Sequence, residues 1–251
     1  PPHSVARPDL NREKSGPLGL HYTDRIEAWQ FGGEACIVDV RDLLDQAPNG
    51  ESPLVRSTHV ERFETAHRAV RFGDVVLFRS DYSDTYYRPF PEGRRFIADA
   101  LERRAPGYPD PDPACMEFLA RRGVMTLGTD SPSMGPLPDL AEPTHYAGLK
   151  YGMIWTEGAT NLGELPATGA FYCMLGPKHQ GGPYGECRAF AITGGELPAR
   201  LIDACRQKRA IDLSPTLAPN LPVTSPGDGI GNHRQVYLKV DFLYSEYLAL
   251  W

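Results

Sequence analysis

Two residue types that bind divalent metals stand twelve positions apart in the middle of the chain, His145 and Glu157. His145 opens a short amphipathic segment, and the apolar run at 153–155, typical of a buried strand, ends just before Glu157. A carboxylate beside a buried strand is costly unless it is paired, hydrogen-bonded or bound to a cation. Imidazole and carboxylate together suit Zn²⁺ or Mn²⁺, and a helix followed by a strand could bring both to one ion. The alternative is a surface histidine and a helix-capping glutamate.

The composition is that of an ordinary globular protein of 251 residues, 41% hydrophobic and 23% charged, which we expect to form one domain over 1–251. The formal net charge of -6 argues against nucleic acid and anionic membranes as partners, because either requires a basic surface. The chain has neither a long apolar run nor a signal-peptide pattern at its start. Its five cysteines are widely spaced and include no C-x-x-C pair, which favours free thiols and a cytoplasmic location.

Apolar runs bounded by glycine, proline or aspartate predict strands at 36–40, 74–78, 124–127, 153–155, 171–175, 188–192 and near 235–244. Helices are predicted at 59–69, 95–104, 112–123 and 198–205. The first of these helices has the capping-box residues Thr58 and Glu61, and the third has Asp112 as N-cap followed by Pro113. Strands that alternate with helices predict an α/β fold with a mixed sheet.

The remaining stretches are predicted to be loops. They are a long N-terminal loop at 1–33, a tyrosine-rich loop at 79–93, and a C-terminal extension over 206–251 that ends in a strand. In the tyrosine-rich loop, Ser80, Asp81 and Tyr82 are either substrate contacts or part of a solvated aromatic surface. Asp130 and Ser131, in the sequence GTDSPS, are expected to hydrogen-bond within a turn rather than to contact substrate.

Four segments resemble, in order and spacing, the cyclase family of metal-dependent hydrolases. They are FGDVVLFRSDYS, FLARRGVMTLGTDSPS, THYAGLKYGMIWTEGATNLGELP and GGPYGECRAFAI. The family includes N-formylkynurenine formamidase, isatin hydrolase and the zinc-dependent trans-dienelactone hydrolase. The resemblance covers about residues 36 to 195, and its most specific elements are the GTD-x-PS loop and the His/Glu pair. It implies a swivelling β/β/α domain.

The family signature, His-x-Gly-Thr-His-x-Asp-x-Pro-x-His, supplies most of the metal ligands. The opening Pro1-Pro2-His3 resembles its last three positions, so we expect the earlier ligands to precede Pro1. The resemblance implies that His145 and Glu157 bind a divalent metal, Zn or Mn, which activates a water. It implies that His3 is a general base or a ligand of a second ion.

The resemblance also implies an activity. We expect a metal-dependent hydrolase that opens a cyclic ester or amide in a small planar substrate, similar to dienelactone or isatin. The alternatives are an acyl-amide hydrolase of the N-formylkynurenine formamidase type and a non-catalytic binding protein on the same scaffold. Family members are typically dimers or tetramers, which implies a homodimer or homotetramer with no nucleic-acid or membrane partner.

Overall fold

The computed structural model describes residues 13–182, 185–214 and 216, together with the short segments 222–224 and 235–237. The strands are β1 (Gly32–Asp39), β2 (Leu54–Val55), β3 (Asp74–Arg79), β4 (Asp110–Pro111), β5 (Thr126–Thr129), β6 (Ile154–Thr156), β7 (Phe171–Leu175), β8 (Arg188–Ile192), β9 (Pro222–Thr224) and β10 (Gln235–Tyr237). The α-helices are α1 (Ser57–Ala66), α2 (Tyr82–Tyr86), α3 (Ala98–Leu101), α4 (Pro113–Arg121), α5 (Ala141–Leu149) and α6 (Leu197–Arg206).

Six of the strands form one mixed sheet in the order β6-β5-β3-β1-β7-β8. The first four are parallel to one another, whereas β7 is antiparallel to β1 and β8 is antiparallel to β7. This architecture confirms the predicted α/β fold with a mixed sheet. The strands predicted at 171–175 and 188–192 match β7 and β8. Strand β1 begins at Gly32, earlier than the predicted start at residue 36, and β5 lies slightly later than the predicted 124–127.

Both faces of the sheet are buried, as is usual where parallel strands are covered on two sides. Along β1, Cys36 and Val38 point to one face and Ala35 and Ile37 to the other, because successive strand residues alternate. The first face packs against helices α1, α4 and α5 through apolar side chains that include Val60, Phe63, Met116, Leu119, Ala147 and Leu149. The second face, which includes Tyr172 and Met174 of β7, packs against Leu162 and Leu165 from the chain after β6.

The predicted helices agree with the structure where local capping decides them. Asp112 is the N-cap of α4, with its side chain accepting from the Cys115 backbone N–H at 2.7 Å, and α6 matches the helix predicted at 198–205. The capping box predicted from Thr58 and Glu61 is wrong, because α1 begins at Ser57. The reciprocal contact comes from His59, whose Nδ1 accepts from the Arg56 backbone N–H at 3.0 Å.

The segment predicted as a tyrosine-rich loop at 79–93 contains the short helix α2, and its Tyr82 is fully buried. Arg95 donates from Nη1 to the Tyr82 hydroxyl at 2.7 Å and lies over the Tyr86 ring at 4.3 Å from its centroid. The helix predicted at 95–104 is also wrong in its extent. It is divided into a 3-10 helix, Glu92–Phe96, and α3, because Ile97 has a non-helical backbone.

The described part of the predicted N-terminal loop contains short 3-10 helices at Leu18–Leu20, Thr23–Arg25 and Ala28–Phe31. Residues 1–12, which include His3, lie outside the described residues. Of the strand predicted near 235–244, the structure describes β10, which pairs antiparallel with β9. None of the helices in the described part of the chain is both long and apolar enough to cross a bilayer.

A cluster of charged residues joins α6 to the edge of the sheet where β1 and β3 begin. Arg68 contacts Glu34 at 2.8 Å and Asp74 at 2.7 Å, and Arg206 contacts the same two carboxylates at 2.7 and 2.8 Å. The Asp74 side chain has no solvent exposure. Burial alone would raise the pKa of Glu34, but hydrogen bonds from Arg206 and Arg68 outweigh it and lower the pKa. The contribution of Glu34 to the stability of the fold is therefore present only while Glu34 is ionised.

We expect Arg68→Ala to lower the free energy of unfolding by about 3 kcal/mol, because it leaves the buried Asp74 with one arginine fewer. Urea denaturation at neutral pH measures the change. Since the folded-state pKa of Glu34 lies below its ordinary 4.5, the stabilisation is present above that pH and decreases as the pH falls through the folded value. The difference between wild type and variant should therefore shrink in acid. Arg200→Ala removes an exposed ion pair with Glu196 and should cost less than about 0.5 kcal/mol.

Candidate functional site

The structure brings His145 and Glu157 together at the edge of the sheet where the parallel strands end. His145 lies within α5, Glu157 directly follows β6, and the chain turns back between them at Gly152, whose φ of 72° favours glycine. The His145 Nε2 atom lies 3.9 Å from Glu157 Oε1. The helix-then-strand arrangement therefore allows both side chains to reach one ion.

His145 has the protonation state that a metal ligand needs. Its Nδ1 lies 2.7 Å from the Ala141 carbonyl oxygen, which can only accept, so Nδ1 carries the proton and Nε2 is the acceptor nitrogen. Burial lowers the pKa of His145 to about 4, which keeps the imidazole neutral near pH 7. The Trp155 indole packs edge-on against the ring, with centroids 5.3 Å apart. Metal-binding histidines commonly donate their second N–H to a carbonyl in this way.

Glu157 is held by two fixed donors. Its Oε1 accepts from the Met134 backbone N–H and from Trp155 Nε1, each at 3.0 Å. The side chain keeps 30% solvent exposure, and its partial burial raises the pKa of Glu157 despite the two hydrogen bonds. A nearby cation would lower the pKa of such a carboxyl group and so stabilise its ionised form.

The loop that supplies Met134 is anchored by Asp110, a fully buried residue in β4. The Asp110 carboxyl group contacts the Ser131 hydroxyl at 2.5 Å and accepts from the Gly135 N–H at 2.9 Å. Sequence patterns miss Asp110, because Asp110-Pro111-Asp112-Pro113 looks like turn and helix-cap chemistry. The single feature of the local sequence that could have drawn attention to Asp110 is that it is a second aspartate before the N-cap Asp112.

The other polar residues singled out in the sequence have structural contacts. Asp130 is buried and accepts from the Ser80 N–H at 2.8 Å, the Ser80 hydroxyl at 2.6 Å and the Asp81 N–H at 2.6 Å. Burial raises the pKa of Asp130 to about 6. The buried Ser80 and Tyr82 fit neither of the two predicted roles, substrate contact or solvated loop. Asp130 joins the loops that follow β3 and β5, whereas Ser131 makes the predicted contact within the turn, with its hydroxyl 2.6 Å from the Ser133 carbonyl oxygen.

The His/Glu pair fits a divalent cation, although it is only part of a ligand set. Zinc lies about 2.0–2.2 Å from nitrogen and oxygen ligands, so a cation fits between two atoms 3.9 Å apart. Within the described residues, no third His, Cys, Asp or Glu completes a metal-binding group. Further donors would have to come from elsewhere, and His3 lies outside the described ranges.

Two clefts meet at Glu157 and Cys187. One cleft, of about 450 Å³, has apolar walls that include Ile26, Phe31, Trp155, Met174 and Pro177. The other, of about 420 Å³, runs along residues 158–162 and the strand β8. These volumes are within the range of small-molecule sites, and the mainly apolar walls of the first cleft are typical of such sites.

Comparisons with known proteins show what this chain is similar to. Residues 12–136 match the Cyclase family. A kynurenine formamidase from Salinibacter ruber (strain DSM 13855 / M31) is 30% identical over 136 residues, which cover 54% of this chain and 51% of that protein. A kynurenine formamidase from Erythrobacter litoralis (strain HTCC2594) is 28% identical over 180 residues, 69% of each chain. The chain therefore spans about half the length of the first of these relatives and about two thirds of the second.

Solved structures show the same fold. An isatin hydrolase bound to the product analogue thioisatinate superimposes with a TM-score of 0.58 at 19% identity, over 72% of this chain and 68% of that chain. Isatin hydrolase A from Ralstonia solanacearum gives a TM-score of 0.59 at 22% identity, over 72% and 68%. At these identities the likeness concerns the backbone architecture.

Cys187 offers a chemical probe of the clefts. It is the exposed cysteine among five free thiols, whereas Cys36 and Cys115 are buried. We expect iodoacetamide to label Cys187 first, more slowly than a free thiol because partial burial raises its pKa. Peptide mass spectrometry over time measures the order of labelling, with Cys187→Ala as the control. Labelling of Cys173 or Cys205 before Cys187 would contradict the described cleft.

Proposed function

Because this chain belongs to the cyclase family of metal-dependent hydrolases, we propose that it hydrolyses an amide bond in a small planar molecule with a divalent cation, Zn²⁺ or Mn²⁺. His145 and Glu157 are two of the proposed ligands. The observation that carries the proposal is the separation of 3.9 Å between the neutral imidazole nitrogen of His145 and a carboxylate oxygen of Glu157, a residue that lines both clefts.

The residues of the chain have distinct parts in this proposal. A bound cation would lower the pKa of a water molecule and polarise the scissile carbonyl. The bond from Nδ1 to Ala141 fixes the His145 ring with Nε2 toward the site. Glu157 contributes negative charge, and its two donors prevent it from rotating away. As the C–N bond breaks, the leaving nitrogen needs a proton, and His3 is the proposed donor by resemblance to the family signature.

The substrate class follows from the apolar cleft and the relatives. Walls formed by Phe31, Trp155 and Met174 suit a flat aromatic molecule. Both named sequence relatives are kynurenine formamidases, which favours an N-formyl aryl amide, whereas the isatin hydrolases share the fold and suggest a cyclic amide. We therefore propose an amide in the first place, with an N-formyl aryl amide as the leading candidate and a cyclic amide as the second. A lactone of the dienelactone type stays a further prediction.

The decisive experiment combines metal binding with hydrolysis. Wild-type protein purified without chelator should retain Zn or Mn and should hydrolyse N-formylkynurenine or isatin. Glu157→Ala and His145→Ala should each weaken metal affinity by at least about 100-fold and reduce hydrolysis at least as much, while circular dichroism stays unchanged. Elemental analysis, calorimetric titration with Mn²⁺ and an absorbance assay measure these effects.

His67→Ala is the matched control, because His67 is exposed and lies beyond the end of α1. It should leave both metal affinity and hydrolysis unchanged. Hydrolysis of dienelactone without either amide would refute the amide assignment and support the lactone prediction. Absence of bound metal, together with no hydrolysis of any of the three substrates after Zn or Mn is supplied, would favour the non-catalytic binding protein.

We also propose a homodimer or homotetramer in a reducing, cytoplasmic location. The location is supported by five free thiols. Oligomerisation is supported by β8, one of the two outermost strands of the described sheet, and by the exposed side chains of Phe190 in β8 and Leu175 in the neighbouring β7.

Light scattering coupled to size-exclusion chromatography should give at least twice the mass of the chain. Leu175→Glu should shift the mass toward the monomer, because a buried charge in an interface is costly. Leu101→Glu is the control, since Leu101 is also exposed but lies on α3. A wild-type monomer at micromolar concentration would refute this proposal.

A further inference from the structure

The loop from Ser131 to Gly135 contacts Glu157 and also the start of α5, the helix that carries His145. Its Met134 N–H donates to Glu157 Oε1 at 3.0 Å. Its Gly135 packs against the start of α5 so closely that a Cβ there would lie 2.6 Å from the Ala141 Cα atom. Ala141 is the residue whose carbonyl fixes the His145 ring. The position of this one loop therefore affects both sides of the His/Glu pair.

Asp110 ties this loop to the core at two points. One carboxyl oxygen of Asp110 contacts the Ser131 hydroxyl at 2.5 Å, and the other accepts from the Gly135 N–H at 2.9 Å. The first and last residues of the loop are thus held by one side chain, with Met134 between them. Asp110 is fully buried in β4, a short strand paired with β2 rather than part of the main sheet. A side chain with these contacts fixes the direction of the Met134 N–H.

If the Asp110 carboxyl group is ionised, the short oxygen–oxygen contacts around it need one more proton than the neighbouring hydroxyl groups supply. The Ser131 hydroxyl lies 2.5 Å from the Asp110 oxygen and 2.6 Å from the Ser133 carbonyl oxygen, and it can donate to only one of them. A protonated Asp110 resolves the shortage, because it donates to Ser131 Oγ, which then donates to Ser133. The Thr129 hydroxyl, 2.9 Å from Ser131 Oγ, fits the same scheme. Complete burial also raises the pKa of Asp110 well above its usual range.

We propose that Asp110 is a positioning residue of the hydrolytic site, which holds the Ser131–Gly135 loop so that Met134 and Ala141 orient Glu157 and His145. It acts as a neutral carboxylic acid, a donor toward Ser131 and an acceptor toward Gly135. This inference rests on the proposed function for its catalytic meaning. Its structural part, the orientation of the Met134 N–H, is independent of metal and of hydrolysis.

The test compares Asp110→Asn with Asp110→Ala. An asparagine can place its NH₂ group toward Ser131 and its carbonyl oxygen toward the Gly135 N–H, as a protonated aspartate does with its O–H and C=O, so it should preserve the loop. In metal-free protein, hydrogen exchange in the peptide spanning Met134 should be at least about 10-fold faster in Asp110→Ala and within about 3-fold of wild type in Asp110→Asn. The affinity for Mn²⁺ should fall about 10- to 100-fold in the alanine variant and remain near wild type in the asparagine variant.

Ser131→Ala removes the hydroxyl group that lies between Asp110 and the Ser133 carbonyl oxygen, and it leaves no large cavity. This variant keeps the test valid if Asp110→Ala does not fold. It should accelerate exchange at Met134 in the same direction as Asp110→Ala. The control is Asp74→Asn, another fully buried aspartate, which lies at the opposite end of the sheet. It should lower thermal stability without a local change at Met134 or in Mn²⁺ affinity.

Three results separate the possible outcomes. Equal damage from Asp110→Asn and Asp110→Ala would overturn the neutral-acid role. Unchanged exchange at Met134 in both Asp110→Ala and Ser131→Ala would overturn the positioning role as a whole. Failure of the proposed function is visible elsewhere, as absence of Mn²⁺ or Zn²⁺ binding and of hydrolysis by the wild-type protein, and the exchange measurements do not depend on it.

Discussion

The site depends on one constraint, which is that the carboxylate of Glu157 must keep a fixed orientation in surroundings that disfavour its charge. Burial raises its pKa, and two hydrogen bonds to Oε1 offset part of that cost. The two donors differ in origin, since Trp155 belongs to β6, the strand directly before Glu157, and Met134 belongs to the loop after β5. The geometry of Glu157 therefore requires β6 and the loop after β5 to keep their relative positions. A cation shared with His145 would supply the remaining stabilisation.

The sheet satisfies this requirement because β3, β5 and β6 are parallel and end at one edge, where ligands commonly bind in open α/β sheets. The loops that follow these strands are bonded to one another. Asp130 accepts from the loop after β3, and the Gly158 N–H donates to the Ser131 carbonyl at 2.7 Å. The ion-pair cluster of Glu34 and Asp74 lies at the other edge, where β1 and β3 begin. The ion-pair cluster and the candidate site thus lie at opposite ends of the parallel strands.

Local patterns predicted those parts of the molecule that local interactions determine. The apolar runs of β3, β7 and β8 and the N-cap of α4 are examples, because each depends on residues close in sequence. The burial of Tyr82 was not predictable in this way, since it depends on Arg95, and Arg95 in turn depends on an ion pair with Asp45 at 2.5 Å. The capping pattern at Thr58 failed for a different reason. A matching sequence does not decide where a helix starts when another residue, His59, can make the same contact.

The same distinction between local and long-range interactions applies to the residues of the candidate site. His145 and Glu157 could be found from residue type and spacing, because a short turn connects α5 to β6 and makes their meeting a local event. Asp110 could not, because its partners Ser131 and Gly135 are more than twenty positions away and are brought to it by the fold.

The protonation of Asp110 follows from the same packing. Its burial raises its pKa, and the negative charge of Glu157 raises it further. Two ionised carboxyl groups would repel each other here, whereas a neutral Asp110 leaves the charge on Glu157, where a cation can use it. The same packing therefore accounts for both the neutral Asp110 and the ionised Glu157. The loop that orients Glu157 is held by a group that does not compete with it for positive charge.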